Sequence, residues 1–161
     1  MREEAAGMLE KLFEDAAENG HRLVAISGYR SFDTQNAIFR RKIGSSGKAK
    51  ASLLVAPPGA SEHQLGLAMD ISSLRSGKLN PAFGRSEEGK WVAQNAHLYG
   101  FIIRYKAEWT PVTGYADEPW HLRYVGQEHA SALAVLDVPL ETYISRLAKS
   151  MFGEYLSDAI I

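Results

Sequence analysis

The chain has 161 residues, 45% of them hydrophobic and 23% charged, which excludes a disordered or collagen-like polypeptide and leaves enough apolar material for a core. Its formal net charge of −1 provides no global basic field for nucleic acid or an anionic membrane surface, so recognition has to be local. There is no cysteine, which removes disulfides, thiolate zinc ligands and a cysteine nucleophile together and leaves the redox compartment open.

The opening residues lack the apolar stretch of a secretion signal, and no run of about 18 apolar residues suggests a membrane span. Ala5, Met8, Leu9, Leu12, Phe13 and Ala16 recur at helical spacing, with glutamates between them and Asn19-Gly20 as the stop; this predicts an amphipathic first helix. "RLVAIS" (22–27) reads as a short strand, followed by the corner "GYRS", which carries Arg30. Asp33 is the expected cap of a second helix running through Gln35 and Phe39 to Gly44.

"GSSGKAK" (44–50) and "APPGASEHQ" (56–64) read as loops because of their glycines, serines and prolines, which puts His63 on a loop edge. In "GLAMDIS" (66–72) strict alternation sets Leu67, Met69 and Ile71 on one strand face and Ala68 and Asp70 on the other. After a loop over 74–86, Ser86 with Glu87 and Glu88 opens a helix containing Trp91, Val92, Asn95 and Leu98, stopped by Gly100. "FIIRY" (101–105) and "WHLRYV" (120–125) are the remaining expected strands, joined by a turn-rich connection, with His121, Arg123 and Val125 on one side of the second. A C-terminal helix begins at Pro139. Clustered helices and short strands favour a single α+β domain over 1–161, with a central antiparallel sheet and helices packed around it.

His63, Asp70 and His121 form a candidate zinc-ligand set without thiolates. Three His or carboxylate ligands with one open position characterise catalytic zinc, whereas structural zinc usually closes with four cysteine-rich ligands. Glu118 stands three residues before His121 in "EPWH", where an unligated carboxylate can take a proton from water at the metal. His21, His97 and His129 read as ordinary core or surface histidines.

Four segments, "SGYRS" (27–31), "SEHQLGLAMDIS" (61–72), "NAHLYGFIIRY" (95–105) and "TGYADEPWHLRYVG" (113–126), resemble in order and content the zinc D-alanyl-D-alanine carboxypeptidases of the VanY type. More distantly they resemble related dipeptidases and cell-wall endopeptidases. The S-x-H-x-x-G-x-A-x-D pattern is complete at Ser61, His63, Gly66, Ala68 and Asp70, and E-x-W-H at Glu118, Trp120 and His121; Leu65 stands where threonine is common. The resemblance implies a hedgehog/D-Ala-D-Ala peptidase fold, trimmed at its N-terminus here, with one catalytic Zn²⁺ on His63, Asp70 and His121 and Glu118 as general base.

The same resemblance assigns Arg30, otherwise a solvated turn arginine, to substrate or transition-state oxygen charge. It assigns Ser61 and Gln35 to the substrate carboxylate, with Tyr29 and Trp120 as further substrate contacts. Trp109 and Tyr115 are candidates for lining a peptide groove. The implied reaction is removal of the C-terminal D-Ala from peptidoglycan stem peptides, insensitive to β-lactams and sensitive to chelators. L,D-carboxypeptidase or endopeptidase activity on the same scaffold is the alternative, and a non-catalytic zinc-stabilised module the alternative of another class. The implied partner is a stem peptide or its precursor, met by a monomer outside the cytoplasm, at the cell envelope.

Overall fold

The computed structural model describes the backbone of residues 1–158 and the side chains of residues 1–151. Four strands form one antiparallel sheet in the order β1-β2-β4-β3, with β1 at Leu23–Ser27, β2 at Ala68–Ser73, β3 at Phe101–Tyr105 and β4 at Glu118–Tyr124. The two strands that carry Asp70 and His121 are therefore the central pair, and those two residues lie directly opposite each other. Directly paired residues share a sheet face, so the register sorts the sequence into an apolar side and a polar side.

On the apolar side, Ile71, Leu122 and Phe101 are fully buried against helix α1 (Glu3–Glu18) and helix α4 (Glu87–Asn95). Helix α1 buries Ala5, Leu9, Leu12 and Ala16, an i, i+4, i+7, i+11 stripe, while its glutamates stay on the outer faces. Helix α4 is capped as expected, Ser86 Oγ accepting from the Gly89 amide at 3.1 Å, and contributes Val92 to the same core. Leu67 and Met69 pack on this core beside Ile71, as the alternation predicts. A smaller cluster of Leu133, Leu140 and Tyr143, from α6 (Gln127–Leu136) and α7 (Leu140–Asp158), closes over Ile102 and Val125.

Four local expectations are corrected. The cap of α2 (Phe32–Ser46) is Ser31, whose Oγ accepts from the Thr34 amide at 3.2 Å; Asp33 is already inside the first turn, where its charge complements the helix dipole. Residues 44–50 are no loop: α2 continues through Gly44 to Ser46, and α3 (Lys48–Leu54) starts immediately after Gly47. One residue at φ +75° suffices for that break, and lysine, alanine and leucine are strong helix formers. The loop over 74–86 contains a 3₁₀ turn, Pro81–Arg85, lying so close to β4 that a Cβ at Gly84 would come within 2.8 Å of Pro119. That approach braces the segment next to Glu118. Strand β4 also begins earlier than expected, at Glu118 itself, and helix α6 had no counterpart in the sequence reading.

Candidate metal centre

Two irregularities of the sheet build the site. Between β1 and β2 the register shifts, so that Ala25 faces Ile71 but Ser27 faces Asp70; Ile26 is the extra residue. Such a bulge re-aims side chains, and here it brings Ser27 to the polar side beside Asp70. Between β3 and β4 a second shift sets Glu118 opposite Tyr105, after Ile103 has paired with Leu122. His63 arrives separately, on the 3₁₀ turn Glu62–Leu65, which Gly66 ends at φ +71°.

His63, Asp70 and His121 are all buried, and one ligand atom from each can be chosen so that the three lie within 4.8 Å of one another. His63 Nε2 is 3.3 Å from Asp70 Oδ2, and His121 Nδ1 is 3.0 Å from Asp70 Oδ1. The His63 ring is oriented from behind, its Nδ1 lying 2.8 Å from the Gly28 carbonyl oxygen. Since a carbonyl only accepts, Nδ1 carries the proton and Nε2 keeps its lone pair toward Asp70. Two imidazole nitrogens and a carboxylate oxygen, oriented in this way, are the donor set that zinc takes in catalytic sites.

The surrounding groups keep the Asp70 donor anionic. Burial alone would raise the Asp70 carboxyl, but the hydrogen bond from His121 overrides it and holds Asp70 well below the usual carboxylate range. Arg30 reaches the same carboxylate, Nη2 to Oδ2 at 2.5 Å, and is itself held by Nε donating to Ser27 Oγ at 2.9 Å. Burial lowers and the carboxylates of Asp70 and Glu62 raise the proton affinity of His121, with a net result of about 9. A metal ion therefore has to displace a proton from this imidazole when it binds.

Glu118 is different. Its Oε2 lies 4.0 Å from His121 Nδ1, outside the ligand cluster, and its side chain is mostly buried. Burial raises its pKa to about 7, against the charge of His121 and with Asp70 adding to the rise. An acid whose pKa sits near neutrality exchanges a proton readily in either direction.

These groups line one cleft of about 310 Å³, together with Ser61, Gln35, Trp120, Tyr105 and Tyr115. Ser61 and Gln35 are buried in its wall. Gln35 Nε2 donates to the Ala56 carbonyl at 2.7 Å, while its Oε1 is buried without a partner. Tyr29, expected at the substrate, is exposed and does not line the cleft; the chain turns at Gly28–Arg30 and sends Arg30 inward instead. Of the two aromatics of the 106–119 connection, Tyr115 lines the cleft, whereas Trp109 lies 4.4 Å under Lys106 Nζ elsewhere. Glu62 and Tyr105 also belong to the site, and nothing local in the sequence marks either of them. Glu62 Oε2 is 3.2 Å from His121 Nε2, and the Tyr105 ring centroid is 5.1 Å from that of His121.

Three convergent donors with an unligated acid beside them define a catalytic rather than a structural type of metal centre. The chain belongs to the VanY D-alanyl-D-alanine carboxypeptidase family, whose match covers residues 1–127. It is 49% identical over 150 residues to the protein YodJ of Bacillus subtilis (strain 168), covering 92% of this chain and 55% of YodJ. The solved structure of the LdcB LD-carboxypeptidase superposes with a TM-score of 0.85 at 50% identity, over 90% of this chain and 68% of that one. A variant of the vancomycin-resistance D,D-pentapeptidase VanY, solved in complex with Zn(II), gives a TM-score of 0.77 at 36% identity, over 87% and 81%. The chain spans about half the length of the curated relatives it matches most strongly.

Proposed function

We propose that this chain is a zinc carboxypeptidase that hydrolyses the last peptide bond of peptidoglycan stem peptides and releases a C-terminal D-alanine. The observation that carries the reading is Glu118, outside the ligand cluster with its Oε2 4.0 Å from His121 Nδ1, next to the buried His63, Asp70 and His121. Held by those three residues, a zinc ion supplies Lewis acidity toward a water molecule and the scissile carbonyl. Glu118 takes the proton of the attacking water on its carboxylate and returns it to the departing amine. Arg30, steadied by Ser27 Oγ, presents guanidinium N–H groups to the oxygen on which negative charge develops, a contribution worth about 3 kcal/mol for a well-placed donor. The cycle runs on one acid–base group and needs no acyl-enzyme.

In the cleft wall, Ser61 is assigned to the substrate's terminal carboxylate. Gln35 has committed one amide N–H to Ala56, and its unpartnered Oε1 is an acceptor that suits a substrate N–H better than a carboxylate. Trp120, Tyr105 and Tyr115 provide apolar wall for alanine methyl groups. The proposed substrate belongs to the cell envelope, which supports an extracytoplasmic location. No helix among the described residues is long and apolar enough to cross a membrane.

A second reading, removal of D-alanine from the tetrapeptide by L,D-cleavage, is favoured by the 50% identity to LdcB. Mass analysis of digests separates the two. Pentapeptide ending in D-Ala-D-Ala should lose one alanine, and amidation of its terminus should abolish the cleavage. Loss of alanine from tetrapeptide alone would select the L,D reading, and an internal cut that survives amidation would make the protein an endopeptidase.

A further inference from the structure

His121 has two ring nitrogens and both are occupied. Nδ1 faces Asp70 Oδ1 at 3.0 Å, while Nε2 lies 3.2 Å from Glu62 Oε2 on the opposite edge. A neutral imidazole carries one proton, so its partners decide which nitrogen is the donor and which the ligand. Glu62 is well placed to make that decision: it is nearly buried, and its other oxygen, Oε1, accepts from Arg104 Nε at 2.8 Å and from Arg123 Nη1 at 2.9 Å. Two arginines on one carboxylate keep it anionic and fix its rotamer.

Arg104 is buried in turn and clamped from its far side by both carboxylate oxygens of Glu141, on the first turn of α7. The four charges, Glu62, Arg104, Arg123 and Glu141, sum to zero, so the network adds no net charge beside the centre it supports. The faces of the His121 ring are also held, by Tyr105 at 5.1 Å and His63 at 4.9 Å between centroids. The imidazole has no freedom to flip.

We propose that Glu62 is the positioning residue of the metal centre: by accepting the Nε2 proton of His121 it makes Nδ1 the ligating atom, and Arg104 links this contact through Glu141 to the C-terminal helix. The inference rests on the metal site proposed above. It concerns affinity and tautomer rather than turnover. Carboxylate partners of ligating histidines typically change metal affinity by about 10- to 100-fold.

The test is zinc competition against a chromophoric chelator, with wild type compared with Glu62→Gln, which keeps the side chain's shape while removing its charge. The expected result is a zinc dissociation constant raised about 10-fold or more in a variant whose far-UV circular dichroism matches wild type. A folded Glu62→Gln chain that binds zinc as tightly as wild type would overturn the proposal. In parallel, ¹⁵N-imidazole NMR of zinc-loaded wild type should show His121 protonated at Nε2 and metallated at Nδ1; metallation at Nε2 overturns the proposal even if the variant fails to fold. Both readouts stand if the protein turns over no stem peptide, so they separate this inference from the substrate reading. Wild type that takes up no zinc overturns the site and the inference together.

Discussion

Glu118→Ala is expected to fold, to bind one zinc ion per chain and to lose about 100- to 10,000-fold in kcat on a D-Ala-D-Ala pentapeptide. That range is the usual contribution of a positioned general acid–base group and corresponds to roughly 2.7–5.5 kcal/mol of transition-state stabilisation. Metal binding survives because Glu118 lies outside the cluster formed by His63, Asp70 and His121, and no side-chain hydrogen bond is broken. The fold survives because burial already disfavours the charged carboxylate, so its removal takes away a cost. The pH profile supplies an independent readout. Glu118 works only when ionised, so kcat/KM should rise with pH along an acidic limb whose midpoint lies at or below about 7, because the charge of zinc pulls a neighbouring carboxylate down from its metal-free value. That limb should disappear in the variant. Normal turnover by Glu118→Ala would remove the base from the mechanism.

His121→Ala should have the larger consequence, the loss of both zinc and activity. Its Nδ1 is one of only three donors, and no other histidine among the described residues joins them. The substitution also takes one hydrogen-bond partner from Asp70, which keeps Arg30, and one from Glu62, which keeps Arg104 and Arg123, so the chain should be destabilised by about 1–3 kcal/mol. Zinc content by atomic absorption and thermal unfolding measure the two effects separately. His97→Ala, which touches none of these groups, should leave zinc and turnover unchanged. Retention of stoichiometric zinc by His121→Ala would contradict the ligand assignment.

The two strands that matter most were legible because their patterns are local. Alternation in "GLAMDIS" sends Ile71 to the core and Asp70 to the opposite face, and the pairing of Asp70 with His121 realises that division. The metal cluster was legible because the S-x-H-x-x-G-x-A-x-D and E-x-W-H patterns that carry the family resemblance are long and complete, whereas a lone histidine on a strand reads as core or surface. What escaped was non-local. Glu62 meets His121 across 59 positions, and Arg104 in "FIIRY" reads as a strand residue with nothing to mark its two glutamate partners. The bulge at Ile26 leaves no compositional trace, although it is what brings Ser27 to Arg30. Helix α3 was obscured because glycine and serine next to lysine look like a loop until one left-handed residue, Gly47, is seen to absorb the whole break. Tyr29 lies exposed outside the cleft lining while Arg30 next to it lines the cleft, because adjacency in sequence does not fix direction at a corner.

The central claim is that this cleft hydrolyses a peptide bond with a metal held by His63, Asp70 and His121. Its most direct test is turnover of D-Ala-D-Ala pentapeptide by the zinc-loaded protein, by the same protein after exhaustive chelation, and after zinc is restored, with products read by mass. The account predicts release of one alanine, its abolition on stripping, and full return at one zinc ion per chain. Unchanged release of alanine by the metal-free protein would contradict it.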